Sequence, residues 1–152
     1  MAFTLTSNDF KDGLPDAHVQ AEGNTSPHLA WSGAPDGTKS FAVTVFDPDA
    51  PTGSGFWHWT VANIPADVSE IPTGGPVPAG AVEGRTDFGA AGFGGAAPPP
   101  GHGPHRYIFT VFAVDTDRLE VTPDHSGAVF GFNLHFHTLA KASITGVYEN
   151  NG

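Results

Sequence analysis

The chain has 152 residues, including 20 glycines and 14 prolines but no cysteine. Inside a helix each glycine costs about 1 kcal/mol and each proline about 3 kcal/mol, so this composition argues against a helical bundle. A hydrophobic fraction of 39%, with 12 phenylalanines, is still enough for a packed core. We therefore expect a single domain over residues 1–152 that is mainly β, with long turn-rich connections.

The charge balance limits the possible partners. Sixteen acidic residues against six basic ones give a net charge of −10. Nucleic acids and anionic membrane surfaces are both bound through clustered lysine and arginine, and no such cluster exists here. No apolar run approaches the roughly 18 residues that span a bilayer, and residues 1–10 lack the segments of a signal peptide. We expect a cytoplasmic protein with no nucleic-acid partner and no membrane span.

Alternating apolar residues predict five to eight short strands, mostly antiparallel. The strand over residues 40–46 carries apolar groups on both faces, which is typical of a central strand. Prolines end this strand and the one that follows it. The stretch from Gly74 to Pro104 is dense in glycine and proline, and we interpret it as an ordered functional loop. The predicted strands cover residues 3–6, 29–31, 40–46, 57–64 and 105–114.

A helical pattern occurs only near the C-terminus. Its apolar stripe predicts a helix that starts at Asp124 or Ser126 and ends at Gly146. On such a helix His135 and His137 lie about 200° apart and cannot bind one metal ion together. We expect the stripe to bury Phe132, Phe136 and Leu139. The whole stripe consists of Val129, Phe132, Phe136, Leu139, Ala140 and Ser143.

Polar side chains gather at the ends of three predicted strands. Asp47 and Asp49 follow the first clear strand, His58 opens the second, and His105 and Tyr107 open the third on one face. Functional groups often lie on loops held by a rigid sheet, so these clusters predict one shared pocket. The tight turn after the first strand also predicts a cis bond between residues 50 and 51.

These residue types suit a small anion. Two histidines can donate N–H hydrogen bonds to a phosphate-like oxyanion, and a neighbouring carboxylate favours the imidazolium form and fixes its tautomer. Asp47 and Asp49 are expected to orient the histidines, because carboxylates facing the anion directly would repel it. Tyr107 can add a neutral O–H donor. We expect Arg106, on the opposite face of its strand, to pair with an aspartate.

Three blocks in order carry a resemblance to a known family. Asp47-Pro48-Asp49-Ala50-Pro51, then Trp57-His58-Trp59, then Pro98-Pro99 leading to Gly103-Pro104-His105-Arg106-Tyr107 resemble the phosphatidylethanolamine-binding proteins, and the compact bacterial branch most closely. This is also the family of the Raf kinase inhibitor protein. The similarity runs from about Ser26 to Tyr148.

The resemblance implies an antiparallel β-sandwich of Greek-key type with an anion-binding pocket at one end. It implies no catalytic residue, resident metal or cofactor. The ligand would be a phospholipid headgroup, another phosphate or a carboxylate, and the function could include regulation of a kinase or protease. The implied pocket residues are Asp47, Asp49, His58, His105 and Tyr107, with Pro99 on the wall and Ala97 supplying an amide where the family usually has glycine.

Several alternatives stay open. A hydrolase or lyase could use the same histidines and aspartates as acid and base. A pure protein-interaction module could carry an inert pocket, and a homodimer is compatible with the sequence. Asp47, His58 and His105 could also supply the three protein ligands of a zinc site. The sequence has no Gly-x-Ser-x-Gly motif and no Walker-type loop.

Overall fold

The computed structural model describes residues 2–152, which form eight strands and one α-helix. Every strand pairs antiparallel with its neighbours. In chain order the elements are β1 (Thr4–Thr6), β2 (Leu29–Ser32), β3 (Ser40–Asp47), β4 (Phe56–Pro65), β5 (Glu70–Ile71), β6 (Val82–Glu83), β7 (His105–Val114), α1 (Gly127–His137) and β8 (Thr138–Tyr148).

The larger sheet has five strands in the order β6-β4-β3-β7-β8. Strand β3 lies in its middle, as its apolar residues on both faces predict, and all of its residues except Phe46 are buried. Strand β7 begins at His105 and ends at Val114, at the predicted bounds, and it pairs with both β3 and β8. Asp47 at the end of β3 and His105 at the start of β7 therefore lie at the same end of the sheet, where both strands terminate.

The smaller sheet has the order β1-β2-β5 and packs against one face of the larger one. Leu29 and Trp31 of the smaller sheet share a core with Val43, Phe109 and other residues of the larger sheet. The opposite face of the larger sheet is covered by α1 and the segment before it, in a second core. The expectation of a mainly β fold with antiparallel sheets is confirmed.

The C-terminal helix is shorter than the sequence predicts. It is capped by Ser126, whose Oγ accepts a hydrogen bond from the Val129 amide, but it ends at His137 rather than at Gly146. The chain continues directly as β8, because this segment pairs with the edge of β7 along its full length. None of the helices within residues 2–152 has both the length and the apolar character needed to cross a membrane.

The predicted buried stripe of the helix is wrong. Phe132 and Phe136 are 67% and 63% exposed, and Leu139 belongs to β8 and is exposed too. The side chains that α1 buries are Phe130 and Leu134, which lie on a different face. The apolar periodicity spans the boundary between the helix and the strand, so it does not describe one helical face.

The predicted functional loop from Gly74 to Pro104 contains β6 and packs back against the rest of the chain. Gly94 and Ala96 are buried, and Ala96 forms a parallel bridge with Val19. The cis peptide bond of residues 2–152 is Gly75–Pro76, so the prediction of a cis bond at Ala50–Pro51 is wrong. This loop brings Phe88, Ala97 and Pro99 to the end of the sheet at which β3 terminates.

Candidate anion-binding site

A cavity of about 180 Å³ lies where β3 ends and where β4 and β7 begin. It can hold a small polar group but not a pair of acyl chains. Five of the predicted site residues line it: Asp47, His58, Ala97, Pro99 and His105. The remaining wall comes from Ala50, Pro51, Thr52, Phe56 and Phe88. Tyr107 and Asp49, the other two predicted residues, are not part of the lining.

A buried acid–base pair lies in the cavity wall. Oδ2 of Asp47 is 2.6 Å from Nδ1 of His105, and both side chains are almost fully buried. Oδ1 of Asp47 accepts a second hydrogen bond from the Asp49 amide at 2.7 Å. Because an ionised carboxylate only accepts, His105 donates through Nδ1–H and its Nε2 points away from Asp47. Asp47 thus fixes the direction of the His105 ring.

His102 extends this pair into a chain of three side chains. Its Nδ1 lies 2.6 Å from Nε2 of His105, so the two rings are joined by a hydrogen bond in which one nitrogen donates and the other accepts. His102 is exposed in a turn between Gly101 and Gly103, both of which have positive φ values that favour glycine. The sequence places the two histidines three residues apart but does not assign this role to His102.

His58 reaches the cavity because of a β-bulge. In the pairing of β3 with β4, Val45 is opposite Trp59 and Phe46 is opposite Trp57, so His58 is the extra residue between them. Bulges change the direction of a side chain and are common next to binding sites. Trp59 consequently packs into the core between the sheets, whereas Trp57 lies on the other face beside Gly127 of α1.

The hydrogen bonding of His58 differs from the expected role. Its Nδ1 lies 2.8 Å from the carbonyl oxygen of Gly94, which can only accept, so Nδ1 carries the proton. Burial lowers the pKa of His58, which favours the neutral ring. No carboxylate hydrogen-bonds this ring within residues 2–152. The neutral ring therefore offers a lone pair at Nε2 and not the N–H donor predicted from the sequence.

Aromatic rings surround His58. The ring centroids of Phe56, Tyr107 and Phe88 lie 4.9, 5.2 and 5.4 Å from that of His58. Phe88 is 42% exposed, which places it at the rim of the site. The sequence patterns did not identify Phe56 or Phe88 as residues of the site. Their role follows from the path of the loop, which the local sequence does not specify.

Tyr107 lies behind the cavity wall, and its hydroxyl is buried without a hydrogen-bond partner among residues 2–152. Burial raises the pKa of Tyr107 well above its ordinary value, and the nearby Asp47 carboxylate adds to the rise, while the Ala97 amide opposes it. The side chain therefore stays neutral and keeps its O–H as a donor.

Asp49 faces away from the cavity. Its two carboxylate oxygens accept hydrogen bonds from Nε and Nη2 of Arg106 at 3.0 and 2.9 Å, and the Arg106 amide donates a third. The Arg106 guanidinium lowers the pKa of Asp49 to about 2. Arg106 thus pairs with an aspartate as expected, whereas Asp49 contacts neither histidine through its side chain. It shapes the turn that carries Asp47.

The zinc alternative has no assembled ligand set. Among residues 2–152, no group of three histidine, cysteine, aspartate or glutamate side chains is arranged to hold a metal ion. In the set considered from the sequence, Asp47 binds His105, and His58 uses Nδ1 on the Gly94 carbonyl. Asp47 and His105 therefore hydrogen-bond each other and His58 hydrogen-bonds a carbonyl, so the three side chains do not form a three-ligand metal set.

Comparison with known proteins bears on the identity of this fold and its cavity. The sequence profile of the phosphatidylethanolamine-binding proteins matches residues 6–149. The chain belongs to this family. Its members with high similarity include the UPF0098 proteins YbcL and YbhB of Escherichia coli, which are 55% and 54% identical over 97% and 95% of this chain. The matches cover 88% of YbcL and 99% of YbhB.

Solved structures of the family have the same architecture. The crystal structure of E. coli YbcL, described as a new member of the mammalian phosphatidylethanolamine-binding protein family, superposes with a TM-score of 0.94. That match has 54% sequence identity and covers 97% of this chain and 98% of the other. A homologue from Chlamydia trachomatis gives a TM-score of 0.87 at 29% identity, covering 98% of each chain. The resemblance inferred from the sequence motifs is confirmed.

Proposed function

We propose that the cavity binds a small anionic group, a phosphate or a carboxylate. The observation that carries the proposal is the buried Asp47–His105 pair in the cavity wall. Asp47 balances the charge of a protonated His105, which makes an imidazolium donor available in a protein with a net charge of −10. Ala97 lines the same cavity and can add its backbone amide as a donor, and Tyr107 lies behind the wall near Asp47.

The size of the cavity supports a headgroup-sized ligand. A volume of about 180 Å³ suits phosphate or phosphorylethanolamine, and the apolar rim of Phe56, Phe88 and Pro99 can cover a short organic substituent. The family name refers to phosphatidylethanolamine. A phosphate in this cavity could therefore come from a lipid headgroup or from a free phosphorylated molecule, because both have an unprotonated phosphate oxygen that can accept a hydrogen bond from His105.

Titration calorimetry tests anion binding directly. Inorganic phosphate and phosphorylethanolamine are titrated at pH 6.5 into the wild-type chain, His105→Ala and His135→Ala, the last being an exposed histidine outside the cavity. We expect binding by the wild type and His135→Ala and its loss in a folded His105→Ala. Binding that survives in His105→Ala contradicts the proposal. Vesicles with and without phosphatidylethanolamine distinguish a lipid source from a free one, and chelator excludes a bound metal.

The Asp47–His105–His102 chain favours an acid–base enzyme as the second candidate, because a carboxylate that orients a histidine is the arrangement of many hydrolases. Incubation with p-nitrophenyl phosphate and p-nitrophenyl acetate tests it. Turnover that disappears in His105→Ala makes the protein a hydrolase. Binding without turnover supports the binding function.

A regulatory partner is the remaining proposal. The fold is shared, at a TM-score of 0.58 and 18% identity, with a carboxypeptidase Y inhibitor solved in complex with its proteinase. We propose that a kinase or protease partner recognises the chain together with the filled cavity. Capture of that partner should then depend on His105, whereas an inert pocket predicts capture that is equal for the wild type and His105→Ala.

A further inference from the structure

The two histidines of the cavity have defined tautomers. His58 donates from Nδ1 to the Gly94 carbonyl, and His105 donates from Nδ1 to Asp47. A neutral imidazole has only one N–H, so neutral His58 keeps an unprotonated Nε2. Nε2 of His58 has no hydrogen-bond partner within residues 2–152, and it is not among the fully buried polar atoms. The His58 ring lines the cavity. His58 therefore presents an acceptor to a ligand.

The surroundings of His58 keep it neutral. The rings of Phe56, Phe88 and Tyr107 pack around it, and the charged groups that act on it are the carboxylates of Asp47 and Asp87. Burial lowers the pKa of His58 and outweighs the rise caused by those carboxylates. No lysine or arginine of residues 2–152 lines the cavity.

His105 has the opposite character. Its Nδ1 is held by a buried carboxylate, so a second proton on Nε2 produces an ion pair without net charge. The partner of Nε2 in the free protein is His102, an exposed side chain between two glycines, and a ligand oxygen can replace it. His105 thus donates to the ligand, whereas His58 accepts. With Asp47 included, the net charge of the three side chains is zero, so the cavity offers nothing to balance a second negative charge on the ligand.

We propose that the cavity selects an oxyanion that still carries one acidic proton, such as the monoanion of a phosphate monoester. The P–OH group of the ligand donates to Nε2 of His58, and a P–O⁻ oxygen accepts from Nε2–H of His105. The inference rests on the proposed anion binding and specifies the protonation state of the ligand. A phosphodiester, such as a phospholipid headgroup, has the single charge but lacks the proton, and a dianion meets the unprotonated Nε2 with a second unprotonated oxygen.

Four small ligands distinguish the effect of the ligand's net charge from the effect of its acidic proton. At pH 6.5, methylphosphonate is largely a monoanion with a P–OH group, whereas trifluoromethylphosphonate is a dianion because fluorine lowers its second pKa. Sulfate is a tetrahedral dianion, and dimethyl phosphate is a monoanion without a proton. Calorimetry of all four at one pH keeps the protonation of the protein constant.

We expect methylphosphonate to bind at least about tenfold more tightly than each of the other three, since one hydrogen bond to a buried acceptor is worth that factor or more. Equal or tighter binding of any of the three overturns the proposal but leaves anion binding intact. Absence of binding by all four, and by inorganic phosphate, overturns anion binding itself.

His58→Gln tests the residue that we hold responsible. Glutamine can turn either its carbonyl or its NH₂ toward the ligand, so the preference for methylphosphonate over trifluoromethylphosphonate should fall to within about threefold. His135→Gln, an exposed position on α1, should keep the wild-type preference. A folded His58→Gln that retains the tenfold preference overturns the role of His58. If this variant does not fold, the wild-type ligand series still decides the proposal.

Discussion

Asp47 and His105 are 58 residues apart in the sequence, but their side chains lie 2.6 Å apart in the core at one end of the larger sheet. The antiparallel pairing of β3 with β7 brings the end of one strand beside the start of the other. The pair fixes the direction of the His105 ring, so the cavity depends on it directly.

Asp47→Asn should therefore weaken phosphate binding about tenfold or more and lower the free energy of unfolding by about 1–3 kcal/mol, since a buried charge-assisted hydrogen bond is lost. Calorimetry and urea denaturation measure the two effects. Asp115→Asn is the matched control, because Asp115 makes a similar 2.8 Å contact with His137 on the surface. Its expected cost is below about 1 kcal/mol, with unchanged phosphate affinity. Equal effects of the two variants would contradict the role of Asp47.

The Asp49–Arg106 pair should contribute to stability in a defined pH range. The pKa of Asp49 is lowered from 3.8 to about 2, so its contribution is present above pH 4 and is lost as pH falls from about 4 to 2. The pair is partly exposed, so solvent screening keeps its contribution small. The difference in free energy of unfolding between the wild type and Asp49→Asn, measured in urea, should shrink over this range. A difference that is constant from pH 5 to pH 2 would show that the ion pair contributes nothing.

Two phenylalanines of α1 should respond differently to truncation. Phe130 is fully buried, so Phe130→Ala should lower the free energy of unfolding by about 3–5 kcal/mol. Phe132 is 67% exposed, and Phe132→Ala should change it by less than about 1 kcal/mol. Thermal or urea unfolding compares them. A larger loss of unfolding free energy for Phe132→Ala than for Phe130→Ala would support the buried stripe predicted from the sequence instead of the observed burial.

Two glycines of the same helix provide a second contrast. A Cβ at Gly127 would lie 2.2 Å from the Trp57 ring, whereas a Cβ at Gly131 meets nothing within 4 Å. Gly131→Ala should stabilise the protein by about 0.5–1 kcal/mol because alanine favours the helix. Gly127→Ala should destabilise it, since Trp57 must move. A melting temperature that rises in both variants would contradict the close approach of α1 to β4.

The strands that form the edge of the cavity could be predicted well from the sequence. The two apolar faces of β3 and the regular alternation of β7 give the central strand and the bounds of β7 almost to the residue. Prolines next to β3 and β4 mark where pairing stops. The three polar clusters then fall at strand ends, which is why Asp47, His58 and His105 could be placed together before any coordinates were known.

Other features depend on interactions that the local sequence does not encode. The bulge at His58 shifts the register by one residue, and alternation alone does not reveal such a shift. β8 forms because β7 has an open edge, although its apolar residues continue a helical period. The two hydrogen bonds from the Arg106 guanidinium set the direction of the Asp49 side chain. The tautomer of His58 is set by the carbonyl of Gly94, which is 36 residues away in the sequence.

NMR of the histidine side chains, labelled with ¹⁵N and titrated with inorganic phosphate at pH 6.5, tests the central claim most directly. The ring nitrogens of His58 and His105 should shift together along one saturable binding curve. His18 and His28 are buried outside the cavity, where the His18 ring hydrogen-bonds the Thr25 carbonyl and the His28 ring hydrogen-bonds Glu70. Their signals should not follow this binding curve. Ring signals of His58 and His105 that do not change at high phosphate, or shifts confined to the other histidines, would contradict an anion site in this cavity.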